Sequence, residues 1–262
     1  MPETFLILAA GGVMLAAAVS NPRQVTLQWL RLAGIIALCG CGLAGYFYAR
    51  REPAGESAFH LRMQLGLMIA TAAAILGQLA FAQVAFRNTQ RMFAGLAFVI
   101  AILAGCNLLH DIAYLHGDKA TAIAWQALAC AGVAAMTGLV LMDMLLGHAY
   151  LTASKMTIAP FRRLNLVLAG ALMVRTVLAV GVTMVLQRLH PVDMLWGIHG
   201  LLIGTRWFVG LLVPAVFIYM AHDCIKRRST QSATGILYVA GVLVFIGEIV
   251  ALQLVRATGL PF

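Results

Sequence analysis

Four ionisable residues lie inside long apolar stretches in the second half of the sequence: Asp143, Arg175, Arg206 and Glu248. A charged side chain within a stretch long enough to span a bilayer costs several kcal/mol unless it is paired or hydrated. The first three apolar stretches, in contrast, contain no acidic residue. These four residues are therefore the first candidates for a functional site.

Three of the four share a depth. Arg175 and Arg206 each lie about 11 residues from the start of their stretches, and Glu248 lies about 14 residues into the last one. At 1.5 Å per residue these depths are roughly 17 and 21 Å, close to the middle of a hydrocarbon core about 30 Å thick. We expect Glu248 to pair with Arg206 or Arg175, while the second arginine faces a polar cavity, a cofactor or a partner subunit. The alternative is a buried charge cluster that only holds helices together.

Asp143 and His148 form a candidate proton path near the end of the fifth stretch, where they are five residues apart. A carboxylate and an imidazole can exchange protons with a bound group when they lie within hydrogen-bond reach of it. A quinone headgroup is one group that would need such exchange. The alternative is an interfacial pair that caps the end of a helix.

Four histidines are candidate cofactor ligands because they lie near the two ends of the apolar stretches. His110 and His199 are near one membrane surface, and His148 and His222 are near the other. A b-type haem needs two facing imidazoles at one depth, with Arg or Lys for its propionates. A quinone needs a His or Arg donor and an apolar slot for its tail. The cofactor stays open between haem b and quinone, and we predict no metal site, since the cysteines form no CxxC pair.

The elements that carry these residues are eight apolar runs. The chain is 62% apolar and 10% charged, with a mean hydropathy of +0.93, whereas a soluble domain is about 25% charged. The runs are continuously apolar, which predicts membrane-spanning α-helices and not strands. Pro214 in the seventh run removes a backbone hydrogen bond and predicts a kink. The runs are residues 4–20, 27–49, 61–86, 92–115, 120–146, 164–186, 195–220 and 234–255.

The predicted fold is thus an all-α polytopic integral membrane protein with about eight transmembrane helices, short loops and no soluble domain. We treat residues 1–262 as a single transmembrane domain. Within it, residues 1–116 form an apolar packing half and residues 117–262 form a four-helix half that bears the polar residues.

The basic residues predict the orientation in the membrane. Nine Lys and Arg residues lie in loops on one side of the eight runs and six on the other, and positive loops face the cytoplasm. This bias places both termini outside, in a bacterial cytoplasmic (inner) membrane. The net charge of +9 does not indicate a nucleic-acid partner, because the basic residues are scattered and form no patch with aromatics.

Three classes of function fit these observations. The leading one is a membrane subunit of a respiratory or other electron-transfer complex, contributing a quinone site, a haem b site or a proton path. The others are a proton- or solute-coupled transporter and a purely structural assembly subunit. The sequence contains no Walker motif, HExxH motif or serine nucleophile elbow, so any enzymatic role is that of a subunit in a membrane oxidoreductase. The expected partners are the lipid bilayer and other membrane or redox subunits.

Overall fold

The computed structural model describes residues 1–51, 57–84, 86–109, 119–152, 157–189, 192–258, 260 and 262, with the backbone alone for residues 119–122, 152, 186–189 and 192–199. The described chain is helical and contains no strand. A five-residue π-helical turn, Phe208–Leu212, separates α7 from α8. The helices are α1 (Pro2–Val19), α2 (Leu27–Ala49), α3 (Ala58–Gln83), α4 (Arg87–Leu108), α5 (Lys119–Thr152), α6 (Ala159–Leu189), α7 (Val192–Trp207), α8 (Val213–Lys226) and α9 (Thr230–Thr258).

Eight helical spans within the described residues are long and apolar enough to cross a membrane. Seven of them are single helices, and the eighth, Gly200–Lys226, runs from α7 through the π-helical turn into α8. The predicted fold class, an all-α polytopic membrane protein with eight transmembrane helices, is therefore confirmed.

α1 and α5 lie at the centre of the bundle. α1 packs against α2, α4 and α5, while α5 packs against α1, α4, α6 and α9. In the apolar segment of each of these two helices 61% of the residues are buried within the protein, against 28–44% in the other six spans. The outer helices therefore keep apolar faces for lipid, and the two halves of the chain meet along α1 and α5.

The central contact is a crossing of two backbones. A Cβ added to Gly12 would lie 1.7 Å from the carbonyl oxygen of Ala134, and one added to Gly138 would lie 1.8 Å from the carbonyl carbon of Gly12. Lipid tails are as apolar as the helices, so helix association in a membrane depends on close packing more than on hydrophobic burial. The glycines allow that packing.

Many polar side chains inside the bundle form hydrogen bonds within the protein. Gln78 of α3 donates from Nε2 to the carbonyl of Leu30 at 3.3 Å, and Asn107 of α4 donates to Gln64 of α3 at 2.9 Å. Several buried or half-buried threonines donate to the carbonyl four residues earlier, as at Thr71, Thr137, Thr176, Thr183 and Thr234. This pattern is what a bilayer core requires, because lipid offers polar groups no partner.

The crossing of α1 and α5 makes a testable prediction. Gly138→Val would place its side chain inside the backbone of α1, so we expect a loss of roughly 3 kcal/mol or more in unfolding free energy. Gly42→Val is the matched control, because a Cβ at Gly42 meets open space and an outward-facing change of this kind is worth within about ±0.5 kcal/mol. Denaturant titration in detergent measures both variants. Equal stability of the two would contradict the crossing.

Candidate functional site

The centre of the second half holds an ionic cluster of three side chains, which we call the triad: Arg175 on α6, Arg206 in the last turn of α7, and Glu248 on α9. Arg175 donates from Nη2 to Glu248 Oε2 at 2.5 Å and from Nε to Oε1 at 3.4 Å. Arg206 donates from Nη1 to Oε1 at 3.0 Å. All three side chains are at most 1% exposed. The structure thus brings the three predicted residues together.

The pairing differs from the expectation in one respect. We expected one arginine to bind Glu248 and the other to face elsewhere, but both guanidinium groups bind the same carboxylate. The reason is that a carboxylate has two oxygens with about four lone-pair sites, so it can accept from two guanidinium groups at once.

Glycines provide the space for the triad. A Cβ at Gly132 of α5 would lie 2.6 Å from Cδ of Arg175, so that arginine lies directly across the backbone of α5. A Cβ at Gly247 of α9 would lie 2.2 Å from Cα of Gly210 in the π-helical turn. These contacts bring α9 against the π-helical turn at the residue next to Glu248, within reach of Arg206.

The π-helical turn begins two residues after Arg206. Pro214 lies in the first turn of α8, immediately after it, and proline cannot donate the hydrogen bond that an α-helix would make there. A widened turn at Phe208–Leu212 precedes this proline, and the predicted kink stays a prediction. Turns of this kind inside α-helices are frequent at functional sites.

The triad carries an unbalanced charge. Two guanidinium groups and one carboxylate leave a net charge of one positive unit in a buried position. Nη1 of Arg175 and both Nε and Nη2 of Arg206 have no hydrogen-bond partner in the described structure. A cluster that served only as a clamp would be better neutral and fully bonded, because each unmet buried donor costs about 1–3 kcal/mol.

A second polar network, which we call the relay, joins α5, α6 and α8. Asn165 donates from Nδ2 to Asp143 Oδ2 at 3.0 Å, and Nδ1 of His222 lies 3.1 Å from Asn165 Oδ1. Since the amide oxygen of Asn165 can only accept, neutral His222 donates from Nδ1 and keeps Nε2 as an acceptor. Asp143 and Asn165 are fully buried, whereas His222 is partly exposed.

His222 also lines an apolar groove of about 370 Å³ between α6 and α8. The groove extends along α6 from Leu166 to Thr176, about 15 Å at 1.5 Å per residue. Because α6 and α8 run in opposite directions, Leu166 and His222 are at one end and Thr176 is at the other. The walls are mostly aliphatic, with Tyr219 beside His222.

Of the other predicted residues, the one whose side chain the structure describes, His148, lies outside both networks. His148 is on the exposed surface of α5. It is five residues from Asp143, which turns the two side chains about 140° apart on a helix. Asp143 is joined to His222 through Asn165 instead. His110 and the side chain of His199 lie outside the described residues.

Sequence reasoning missed Asn165 and the three glycines that shape the triad, Gly132, Gly210 and Gly247. Asn165 had a usable signal, because an amide in a membrane-spanning run needs a partner just as a charge does. The glycines had none, since 25 glycines occur in the sequence and only the tertiary contacts distinguish these three. In the described part of the chain, no group of three or more His, Cys, Asp or Glu could hold a metal ion.

We predict that breaking the triad lowers the unfolding free energy, whereas replacing all three of its residues does not. Glu248→Met leaves two unpaired buried guanidinium groups, so we expect it to lower the unfolding free energy by about 3–5 kcal/mol. The triple change Arg175→Met, Arg206→Met and Glu248→Met removes every charge, and its stability should return to that of the natural chain or exceed it. Denaturant unfolding in detergent compares them. A triple variant no more stable than Glu248→Met would show that the charges are not the cause.

Comparison of the chain with protein-family models, curated proteins and solved structures gives no match. The function must therefore be argued from the triad, the relay and the groove. All three consist of residues from α5 to α9, in the C-terminal half of the chain.

Proposed function

We propose that the protein is an integral membrane subunit of an electron-transfer complex and that it binds a quinone in the groove between α6 and α8. The observation that carries this proposal is the position of His222. It lies at one end of an apolar groove, and its ring is joined through Asn165 to the buried carboxyl group of Asp143. An apolar ligand with a polar, proton-exchanging head fits that arrangement.

The groove suits a ligand that arrives through the membrane. Met173 and Tyr219 in its lining are 69% and 74% exposed, and in a bilayer such exposed apolar surfaces face lipid. A quinone dissolved among the acyl chains can enter sideways, lay its isoprenoid tail along α6 towards Thr176 and place its head near His222. The aliphatic walls exclude water from the tail.

The relay can take a proton from a quinol. Oxidation of a quinol to a quinone releases two protons and two electrons. Nε2 of His222 can accept one of these protons from a hydroxyl group at the head of the groove, and the second can pass to water, to which His222 is partly exposed. Asn165 holds the ring through Nδ1, and a negative charge on Asp143 would stabilise the resulting imidazolium through that amide. The electrons pass to a redox centre of a partner subunit, and quinone reduction is the same sequence reversed.

A quinone is favoured over haem b at this level of the membrane. A b-type haem needs two axial ligands, and the described lining of the groove includes one histidine, His222. His148, the expected second ligand, is exposed on α5. The partner subunits, the bacterial cytoplasmic membrane and the outward position of both termini belong to this proposal, as does the view that the chain acts in catalysis only as a subunit.

The triad favours a second candidate function, a proton- or solute-coupled transporter. A buried, net-positive cluster beside a π-helical turn is a suitable charge switch for a change between inward- and outward-facing states. If the triad serves assembly alone, the protein is a structural subunit. Transport predicts uptake by proteoliposomes that contain this protein alone, whereas the electron-transfer proposal predicts co-purification with redox subunits.

The quinone proposal predicts that His222→Phe weakens binding of a short-chain quinone, such as decylubiquinone, at least about tenfold. The change removes the hydrogen-bond partner of the head, and about 1.4 kcal/mol corresponds to a factor of ten in affinity. Titration calorimetry in lipid nanodiscs measures the dissociation constant. His148→Phe is the matched control and should bind as the natural chain does. Unchanged binding by His222→Phe, or no binding by the natural chain, would refute the site.

The orientation is tested by labelling single added cysteines in intact bacterial cells with a membrane-impermeant maleimide. We expect Arg50→Cys to be labelled from outside, and Gln24→Cys and Ser229→Cys to be labelled only after the cells are opened. All three positions are exposed in the loops or at helix ends, and the chain with its natural cysteines provides the background. The opposite labelling pattern would place both termini inside.

A further inference from the structure

The charge of the triad has no counter-charge nearby in the described structure. Of the other acidic side chains described there, Glu3 and Asp223 lie near helix ends. Asp143 is eleven residues along α5 from Gly132, a separation of about 16 Å. Among the side chains that the structure describes, no second carboxylate therefore balances the excess positive charge of Arg175 and Arg206.

The free donors of the triad are confined to one small region. Nη1 of Arg175 and Nε and Nη2 of Arg206 are unpartnered, and both guanidinium groups are anchored on the two oxygens of the Glu248 carboxylate. Both side chains are at most 1% exposed, so these donors do not reach bulk water. Any acceptor for these donors would therefore have to be held inside the protein.

We propose that the triad binds a small monovalent anion, of which chloride is the most abundant example, between the guanidinium groups of Arg175 and Arg206. A water molecule would satisfy a donor but would leave the net charge in place, whereas an anion satisfies the donors and makes the cluster neutral. Charge-assisted hydrogen bonds from guanidinium to an anion are also the stronger kind. This site is separate from the quinone groove and does not depend on it.

The packing restricts the anion to a small one. Gly132 lies against the aliphatic part and the guanidinium of Arg175, and Gly210 lies against both Arg206 and Gly247. A Cβ at any of these glycines would already collide with its neighbour, so a bulky organic acid does not fit without separating the helices. Halides and nitrate are small and carry the single negative charge that the cluster lacks.

The experiment measures thermal unfolding of the detergent-purified protein in sodium chloride, bromide or nitrate, and in sodium gluconate at the same ionic strength. We expect the melting temperature to rise saturably with the small anions, by about 5 °C or more from trace concentration to a hundredfold excess over the dissociation constant. Gluconate should give no such rise. Equal melting temperatures in chloride and gluconate would overturn the proposal.

Three variants locate the effect. Arg206→Met leaves the neutral pair of Arg175 and Glu248, so its melting temperature should not depend on the anion, whereas Arg206→Lys keeps the charge and should retain a response. His222→Phe changes the groove and the relay but not the triad, and it should respond as the natural chain does, which separates this proposal from the quinone site. A saturable response that persists in Arg206→Met would place the anion elsewhere and refute the site.

A direct measurement serves if Arg206→Met does not fold. Protein produced and purified in bromide is crystallised, and anomalous scattering at the bromine absorption edge locates the ion. A peak within hydrogen-bond distance of the guanidinium groups of Arg175 and Arg206 supports the proposal. Absence of a peak at the triad, with the side chains ordered, contradicts it.

Discussion

Lipid does not solvate a polar group inside a bilayer, and this constraint determines how the second half of the molecule packs. The carboxylate of Glu248 receives three N–H groups from two arginines, and those contacts join α6, α7 and α9 at one level. Without them, three long side chains would have to carry charge into hydrocarbon. The three charged side chains are therefore acceptable in lipid only together, because each one solvates the others.

The ionic contacts in turn require unusually close approaches of backbone. Gly247 and Gly210 touch beside Glu248, and Gly132 gives Arg175 its path across α5. Close backbone contact at glycines also joins the two halves of the chain, where Gly12 and Gly138 let α1 and α5 cross in direct contact. In a membrane such contacts replace the hydrophobic effect as the source of helix association, since burial against protein and burial against lipid are nearly equivalent.

α6 carries one residue of each polar network, which gives the C-terminal half two centres at different depths. Asn165 belongs to the relay and Arg175 to the triad, ten residues or about 15 Å apart along the helix. The groove beside α6 spans the same interval, from the level of His222 to Thr176, the neighbour of Arg175. A ligand seated in the groove would therefore lie alongside the helix that supports the buried charges.

The sequence by itself determined the class of fold and identified the candidate functional residues. Continuous apolar runs with few charges have one stable form in lipid, the α-helix, because it satisfies its own backbone. Depth along those runs was enough to group Arg175, Arg206 and Glu248, since the rise per residue of a helix is constant. Depth along a helix does not show which way a side chain faces or which helices are its neighbours. Only the tertiary structure decided that both arginines share one carboxylate and that Asp143 reaches His222 through Asn165 and not His148. Those outcomes depend on which helix faces meet, and that is set by a few glycine contacts that no local pattern in the sequence distinguishes.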